Sequence, residues 1–303
     1  MPAPARRPHK AVNPVLHDAL TPAAALRRIA AACLQQLEAN TPGALASSDP
    51  EFVHQMRVAL RRLRCALRFF DDPSARHARK RFGPALRALG RALGEQRNWD
   101  VFITATLPQL GLAAPVRARA LRLRAAARAR ARELLGTPGH VELLHGMAAW
   151  VAAAPPDRAA GRKPGVALHD TLRPHLKGLH RRVKRGARHF GDLDEEARHR
   201  VRIDVKRLRY AVDAVGSLYE PLAVGRYTEA LGDLQDLLGD LTDINTARLL
   251  LGKLVVGKVG LGLALRRLDQ RESALLAQAL GRFAGVMAAA GFWKHSKRGE
   301  HNV

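Results

Sequence analysis

Residues 52–70 read FVHQMRVALRRLRCALRFF, and at helical period the stretch divides into two adjoining stripes of opposite character. Val53, Met56, Leu60, Leu63, Leu67 and Phe70 recur three and four apart, as the buried seam of an amphipathic helix does. His54, Arg57, Arg61, Arg64 and Arg68 keep the same spacing on a line beside it. No acidic residue falls between Glu51 and Asp71, so the mixed charges of an ordinary solvated face are missing. The like-charged pairs 57/61, 61/64 and 64/68 each cost an isolated helix about 0.2–0.5 kcal/mol. An anionic partner would offset that cost.

The pattern returns 145 residues later in RHRVRIDVKRLRYAVDAV, residues 198–215. His199 then falls on His54, Arg202 on Arg57, Lys206 on Arg61, Arg207 on Arg62 and Arg209 on Arg64. The seam recurs as Val201, Val205, Leu208, Val212 and Val215. Asp204 and Asp213 interrupt the second line, which is charge-dense without being purely cationic. Two halves descended from one unit, each presenting a basic line to a shared place, account for the repetition.

The whole chain of 303 residues carries 51 Lys and Arg against 27 Asp and Glu, a formal charge of +24. Such a charge attracts polyanions over long range: nucleic acid, phosphate polymers or an anionic surface. Cys33 and Cys65 are too few for a disulfide framework. The N-terminus lacks the apolar stretch of a signal peptide, and no apolar run is long enough to cross a bilayer. A cytoplasmic protein without membrane insertion is the expectation.

In chain order, residues 1–17 read as a disordered basic tail, 18–154 as a first helical bundle, 155–166 as a Pro/Gly-rich linker, 167–292 as a second bundle and 293–303 as a basic C-terminal tail. Thr21-Pro22 opens a helix to about Glu38, with a loop over 40–47. Ser48-Asp49-Pro50-Glu51 supplies a cap, a first-turn proline and a capping box for the opening helix. Pro73 starts another helix, with a kink or break at Gly83-Pro84 and an end near Gly94, and Asn98 or Asp100 caps a short one. Arginines between 117 and 132 crowd a further helix but spread over two faces, as on a solvated surface. Lys177, His180, Arg181, Lys184 and Arg188 repeat the helical spacing near 168–189, Asp192-x-x-Glu195 offers a cap for the repeated helix, and later helices span about 227–241, 243–256 and 261–290. Alternating β-branched runs are almost absent, so the fold class is all-α, two helical bundles built on an internal repeat.

Chemistry beyond charge is hard to find in the sequence. His140 and His145 are off a common helical face, and no His-Glu-x-x-His occurs. Asp233 with Asp236, and Asp240 with Asp243, have helical spacing, yet capping and pairing with arginine explain them better than a metal. Gly257-Lys258-Val259-Gly260-Leu261-Gly262 lacks the order of a phosphate loop and reads as a helix break. No nucleophile, base and orienting acid assemble, so catalytic residues, metal ligands and cofactors are all expected to be absent. Aromatics make up 5% of the chain and do not interleave with the basic lines, which disfavours stacking on single-stranded nucleic acid. A nearly pure cationic line also lacks the Asn, Gln and Ser that read base edges. At about 1.5 Å per residue, His54 to Arg68 spans roughly 21 Å with a cation every turn. Linked phosphates could lie along it and take bidentate contacts from arginine.

His54-x-x-Arg57-Val58-x-x-Arg61-Arg62-Leu63-Arg64 and His199-x-x-Arg202-Ile203-x-x-Lys206-Arg207-Leu208-Arg209-Tyr210 resemble the signature helices of the CHAD family, the conserved histidine α-helical domain. Leu93-Gly94 leading to Arg97-Asn98-Trp99-Asp100-Val101, and Leu238-Gly239 leading to Asp243-Ile244, resemble its second recurring element. The resemblance covers about residues 18–292. It implies two pseudo-symmetric bundles, a basic cleft or pore that binds inorganic polyphosphate, no intrinsic catalysis and association with polyphosphate granules. Asn98 stands where the family commonly has an acid, and Arg198 takes the seam position of Val53. The Glu-x-Glu-x-Lys motif of the CYTH barrel, a frequent fusion partner, is missing. Candidate contacts are His54, Arg57, Arg61, Arg62, Arg64 and Arg68 from the first half and His199, Arg202, Lys206, Arg207 and Arg209 from the second. Non-specific nucleic-acid binding on the same surface is the rival reading, and a metal-dependent phosphate-chain enzyme a more distant one.

Overall fold

Polar caps open the helices that matter most. The Thr21 hydroxyl accepts the Ala24 amide at the head of α1 (Pro22–Ala46), and the Asp49 carboxylate accepts the Glu51 amide at the head of α2 (Pro50–Phe69). Asp72 caps α3 (Pro73–Val101), and Asp194, two residues beyond the expected Asp192, caps α8 (Glu195–Val215). The computed structural model describes residues 7–153, 166–254, 258–289 and 291–294. Among these there is no strand, and the architecture is all-α. A π-helical turn (Phe102–Thr106) and the short α4 (Leu107–Leu110) lead to α5 (Ala114–Leu135) and α6 (Pro138–Ala152). The second half holds α7 (Leu168–Ala187), α8, α9 (Pro221–Leu254) and α10 (Lys258–Ala288).

Three helices run on where the sequence predicts interruptions. α1 passes through Pro42 in place of a loop, α3 passes through Pro84 in place of a kink or break, and α9 is one helix where two are expected. A proline inside a helix costs about 3 kcal/mol. Each fully buried Leu or Phe returns about 1.5–3 kcal/mol, and α3 alone buries Phe82, Leu86, Leu89 and Leu93 on one stripe across the proline. Packing outweighs the local penalty. In α1 the Phe52 ring lies directly on Gly43, where a β-carbon would collide with it.

Both seams are buried as the spacing requires: Met56 and Leu63 are 0% exposed, as are Val205, Leu208 and Val212. They do not form separate cores. Leu26, Met56 and Leu63 join Leu176, Leu208 and Leu234 in one apolar cluster, and a second cluster unites Trp99 and Phe102 with Ile244, Leu251 and Leu268. Because the halves share their cores, α2 packs on α8 and α3 on α9. That arrangement brings the two basic lines together.

The chain ends differ from the expected tails. From residue 7 onward the N-terminal segment lies on the body: the His9 amide donates to Asn40 Oδ1 at 2.9 Å, Asn40 Nδ2 returns a bond to the His9 carbonyl at 2.9 Å, and Leu16 is buried. Trp293, assigned from sequence to the C-terminal tail, is also buried, 5.2 Å from the His180 ring and 5.7 Å from Tyr227. An aromatic side chain recovers more by packing than a tail gains in chain freedom. Residues 1–6, the expected linker apart from Val166, and 295–303 lie outside the described residues. Cys33 and Cys65 are free thiols.

Candidate anion-binding cleft

Where α2, α3, α8 and α9 meet they leave a cleft of about 820 Å³. α2 contributes His54, Arg57 and Arg61 to its wall, and α8 contributes the counterparts His199, Arg202 and Lys206. Six of the eleven candidate residues are thus brought together from positions 145 apart in the chain. The remaining cations of the cleft, Arg91 and Arg97 of α3 and Lys253 of α9, are not among the sequence candidates. A signal for Arg91 existed. Arg91, Gly94, Glu95, Asn98 and Val101 form a stripe at helical spacing, and Gly94 leaves room beside it for the Arg57 guanidinium. A β-carbon there would stand 2.7 Å from the Arg57 guanidinium.

The cations repel one another across the interface. Burial, then Arg61 and Arg97, pulls Arg57 down to about 9. Burial followed by Arg61 lowers Arg202 to about 10. Lys206 is pushed furthest, to about 6, by burial and then by Arg61, Arg202 and Arg57. Both histidines are held below the usual imidazole range, mainly by burial, then by Arg97 for His54 and by Arg202 and Lys206 for His199. Burial raises the Tyr210 hydroxyl of α8, and the nearby Arg61 of α2 opposes the rise.

The wall is not purely cationic. Glu95, Asp236, Asp240 and Asp243 line it as well, so among the described residues seven Arg and Lys face four carboxylates. Burial raises the Asp243 carboxyl while Arg202 and Lys206 oppose the rise. Asp240 is 3.6 Å from Arg271, and Asp233, outside the cleft, is 2.7 Å from Arg282. Among the described residues none of Arg57, Arg61, Arg202 and Lys206 is in ion-pair contact with a carboxylate. Arg202 Nε and Gln235 Oε1 are buried without a hydrogen-bond partner. No group of His, Cys, Asp and Glu suited to a metal occurs among the described residues.

Five candidates fall elsewhere. Arg62 is buried on the far side of α2, donating to Gln36 Oε1 at 3.3 Å, to the Val12 carbonyl at 3.0 Å and to Asn13 Oδ1. It clasps the N-terminal segment and cannot reach the cleft. Arg209 is held by Asp213 at 3.0 Å and by the Thr228 carbonyl at 2.9 Å. Arg64 stands beside Gly90 of α3, and Arg68 and Arg207 open on a different cavity. The cause is common to all five: helical spacing fixes a residue's bearing around one helix, whereas the next helix decides what stands opposite. Of the arginines of α5, Arg117, Arg119, Arg122 and Arg130 are exposed as expected, whereas Arg124, Arg128 and Arg132 are half-buried. Arg128 and Arg132 both donate to the Ser47 carbonyl at the C-terminus of α1, Arg130 pairs with Glu95 at 2.7 Å and Arg124 lies 3.7 Å from Asp100.

The CHAD-domain profile matches residues 28–252, which contain both basic lines and all four helices of the cleft apart from the last residues of α9. The chain belongs to the CHAD family. Among solved structures it is similar to the CHAD domain from the plant Ricinus communis, at 28% identity over 93% of this chain and 96% of that one, with a TM-score of 0.72. It also shares its fold with PptA from Streptomyces chartreusis, at 17% identity over 90% of this chain and 99% of that one, with a TM-score of 0.60. No curated protein matches it. Within this CHAD fold the second recurring element has a division of labour: Trp99 is buried in the core, Asp100 is buried facing Arg124, and Arg97 and Asn98 line the cleft. The two departures from the family pattern are accommodated. Asn98 leaves its place on the wall uncharged, and Arg198 avoids the seam by donating to the Gly191 carbonyl at 3.1 Å and reaching Glu272 at 3.6 Å.

Proposed function

We propose that the cleft binds inorganic polyphosphate as a ligand and leaves its bonds intact. The observation that supports this most is the close approach of Arg57, Arg61, Arg202 and Lys206 from two helices without a carboxylate in contact with any of them. Such a cluster is destabilised in isolation and stabilised by a chain of linked phosphates, which offers an anionic oxygen at every unit. No Phe, Tyr or Trp lines the cleft among the described residues, which disfavours stacking of bases. The family resemblance points to the same ligand, and association with polyphosphate granules in the cytoplasm belongs to this proposal.

The test is the double variant Arg61→Glu/Lys206→Glu. It should lose at least a hundredfold in affinity for long-chain polyphosphate while keeping its helical content. Unchanged affinity would remove the assignment. Competition at fixed salt separates the nucleic-acid reading, because polyphosphate should displace duplex DNA at far lower phosphate concentration than DNA displaces polyphosphate. Salt dependence alone cannot decide, since both ligands release counterions. Orthophosphate release on long incubation with magnesium would contradict the non-catalytic part.

A further inference from the structure

The polar face of α2 does not end at the cleft. About two turns beyond Arg61, roughly 10 Å by helical rise, Arg68 opens with Cys65 and Phe69 on a second cavity of about 680 Å³. Its other walls come from α7, from the start of α3 and from Arg207 of α8. Among the described residues the two cavities share no lining residue: Lys206 faces the cleft and its neighbour Arg207 the second cavity.

Charge in this cavity is only partly compensated, four arginines against two shared carboxylates. Arg68, Arg79, Arg182 and Arg207 line it. Asp71 is committed to Arg76 at 3.0 Å and lies 3.8 Å from Arg79, while Asp204 is shared between Arg207 at 3.2 Å and Arg182 at 3.5 Å. Arg68 has no carboxylate partner among the described residues. An adjoining groove of about 500 Å³ shares Gly178 and Arg182 with the cavity and is otherwise lined by Arg181, Lys184, Arg185 and Arg188. These are cations of α7 and its C-cap that the cleft does not use. The volume is that of a small-ligand pocket, and guanidinium forks at this density match phosphoryl oxygens.

We propose that this cavity is a second phosphoryl-anion site, separate from the cleft and approached along the cationic face of α7. Its ligand carries two or more phosphoryl groups. The source is either a separate compact phosphorylated molecule or the overhanging end of a chain held in the cleft.

Cys65 supplies the reporter, because it lines the cavity and is partly exposed whereas Cys33 is 0% exposed. Alkylation of Cys65 by N-ethylmaleimide at pH 9, followed by intact mass, should slow at least fivefold under saturating tripolyphosphate or long-chain polyphosphate. If tripolyphosphate still protects in Arg61→Glu/Lys206→Glu, the site exists and takes the compact molecule. Protection by long chains only, and lost in that variant, means that the site exists and holds the polymer end. Arg79→Gln/Arg182→Gln should abolish protection, as should Gly178→Leu, which fills open space in front of α7 without removing charge. No slowing by either anion in the wild type overturns the proposal, and so does slowing that survives both cavity variants. Neither result touches the cleft, whose own double variant is scored by affinity.

Discussion

With polyphosphate as the proposed ligand of the cleft, Lys206 should make binding proton-linked. In the free protein its ammonium is pushed from 10.5 down to about 6 by burial and by Arg61, Arg202 and Arg57, a bias of on the order of 6 kcal/mol against the charged form. At pH 8 the side chain is therefore neutral. Phosphates entering the cleft favour the ammonium and move its pKa back toward the ordinary range, so binding should take up close to one proton per chain. Affinity then rises about tenfold for each unit that pH falls between about 8 and 7, below the range in which Arg57 titrates. The sign follows from the linkage: the bound state holds more protons than the free one, so lower pH favours binding. Interior phosphates do not titrate in this window, and at pH 8 the histidines, held below their usual range, contribute little. Calorimetry at pH 8 and constant ionic strength, in buffers of differing ionisation enthalpy, reads the uptake directly. Lys206→Met should abolish it. Uptake below about 0.2 proton in the wild type, or equal uptake in Lys206→Met, would refute the reasoning.

The same shift predicts the stability of the free protein. Unfolded Lys206 binds a proton that the folded chain rejects, so this residue's contribution improves as pH rises from about 6 towards 10 and is constant below about 6. Lys206→Met should raise unfolding free energy at pH 7.5 by up to about 4 kcal/mol, measurable by urea titration, while weakening polyphosphate binding. Arg62→Ala should do the reverse, losing about 1–3 kcal/mol through its broken bonds to Val12, Asn13 and Gln36 with affinity unchanged; a loss of affinity would put Arg62 back in the site. Gly94→Ala should cost no stability, since alanine favours helix by up to about 1 kcal/mol, yet it crowds the Arg57 guanidinium and should weaken binding severalfold. Gly43→Val should destabilise strongly, by about 2 kcal/mol or more through the clash with Phe52, without changing the affinity of the protein that remains folded.

Period and caps carried much of the fold. The seams at 53–70 and 201–215 are buried, Thr21 caps where its position indicates, and the absence of alternating β-branched runs corresponds to a structure without strands among the described residues. Errors gathered where long-range packing overrode local chemistry. Pro42, Pro84 and Gly94 all look like helix breakers, and all lie inside helices whose apolar stripes continue past them. The tail residues carry no periodicity to reveal that Asn40 and Arg62 hold them.

For the candidate site, the sequence by itself determined which residues share a line on each helix and that two such lines exist, because a helix repeats every 3.6 residues whatever surrounds it. Only the tertiary structure decided that His54, Arg57 and Arg61 face His199, Arg202 and Lys206, that Arg62 turns to the N-terminal segment and that Arg68 and Arg207 serve another cavity. Helical period settles direction around one axis. What a side chain meets there depends on how separate helices dock, and that is set by the shared apolar cores of both halves.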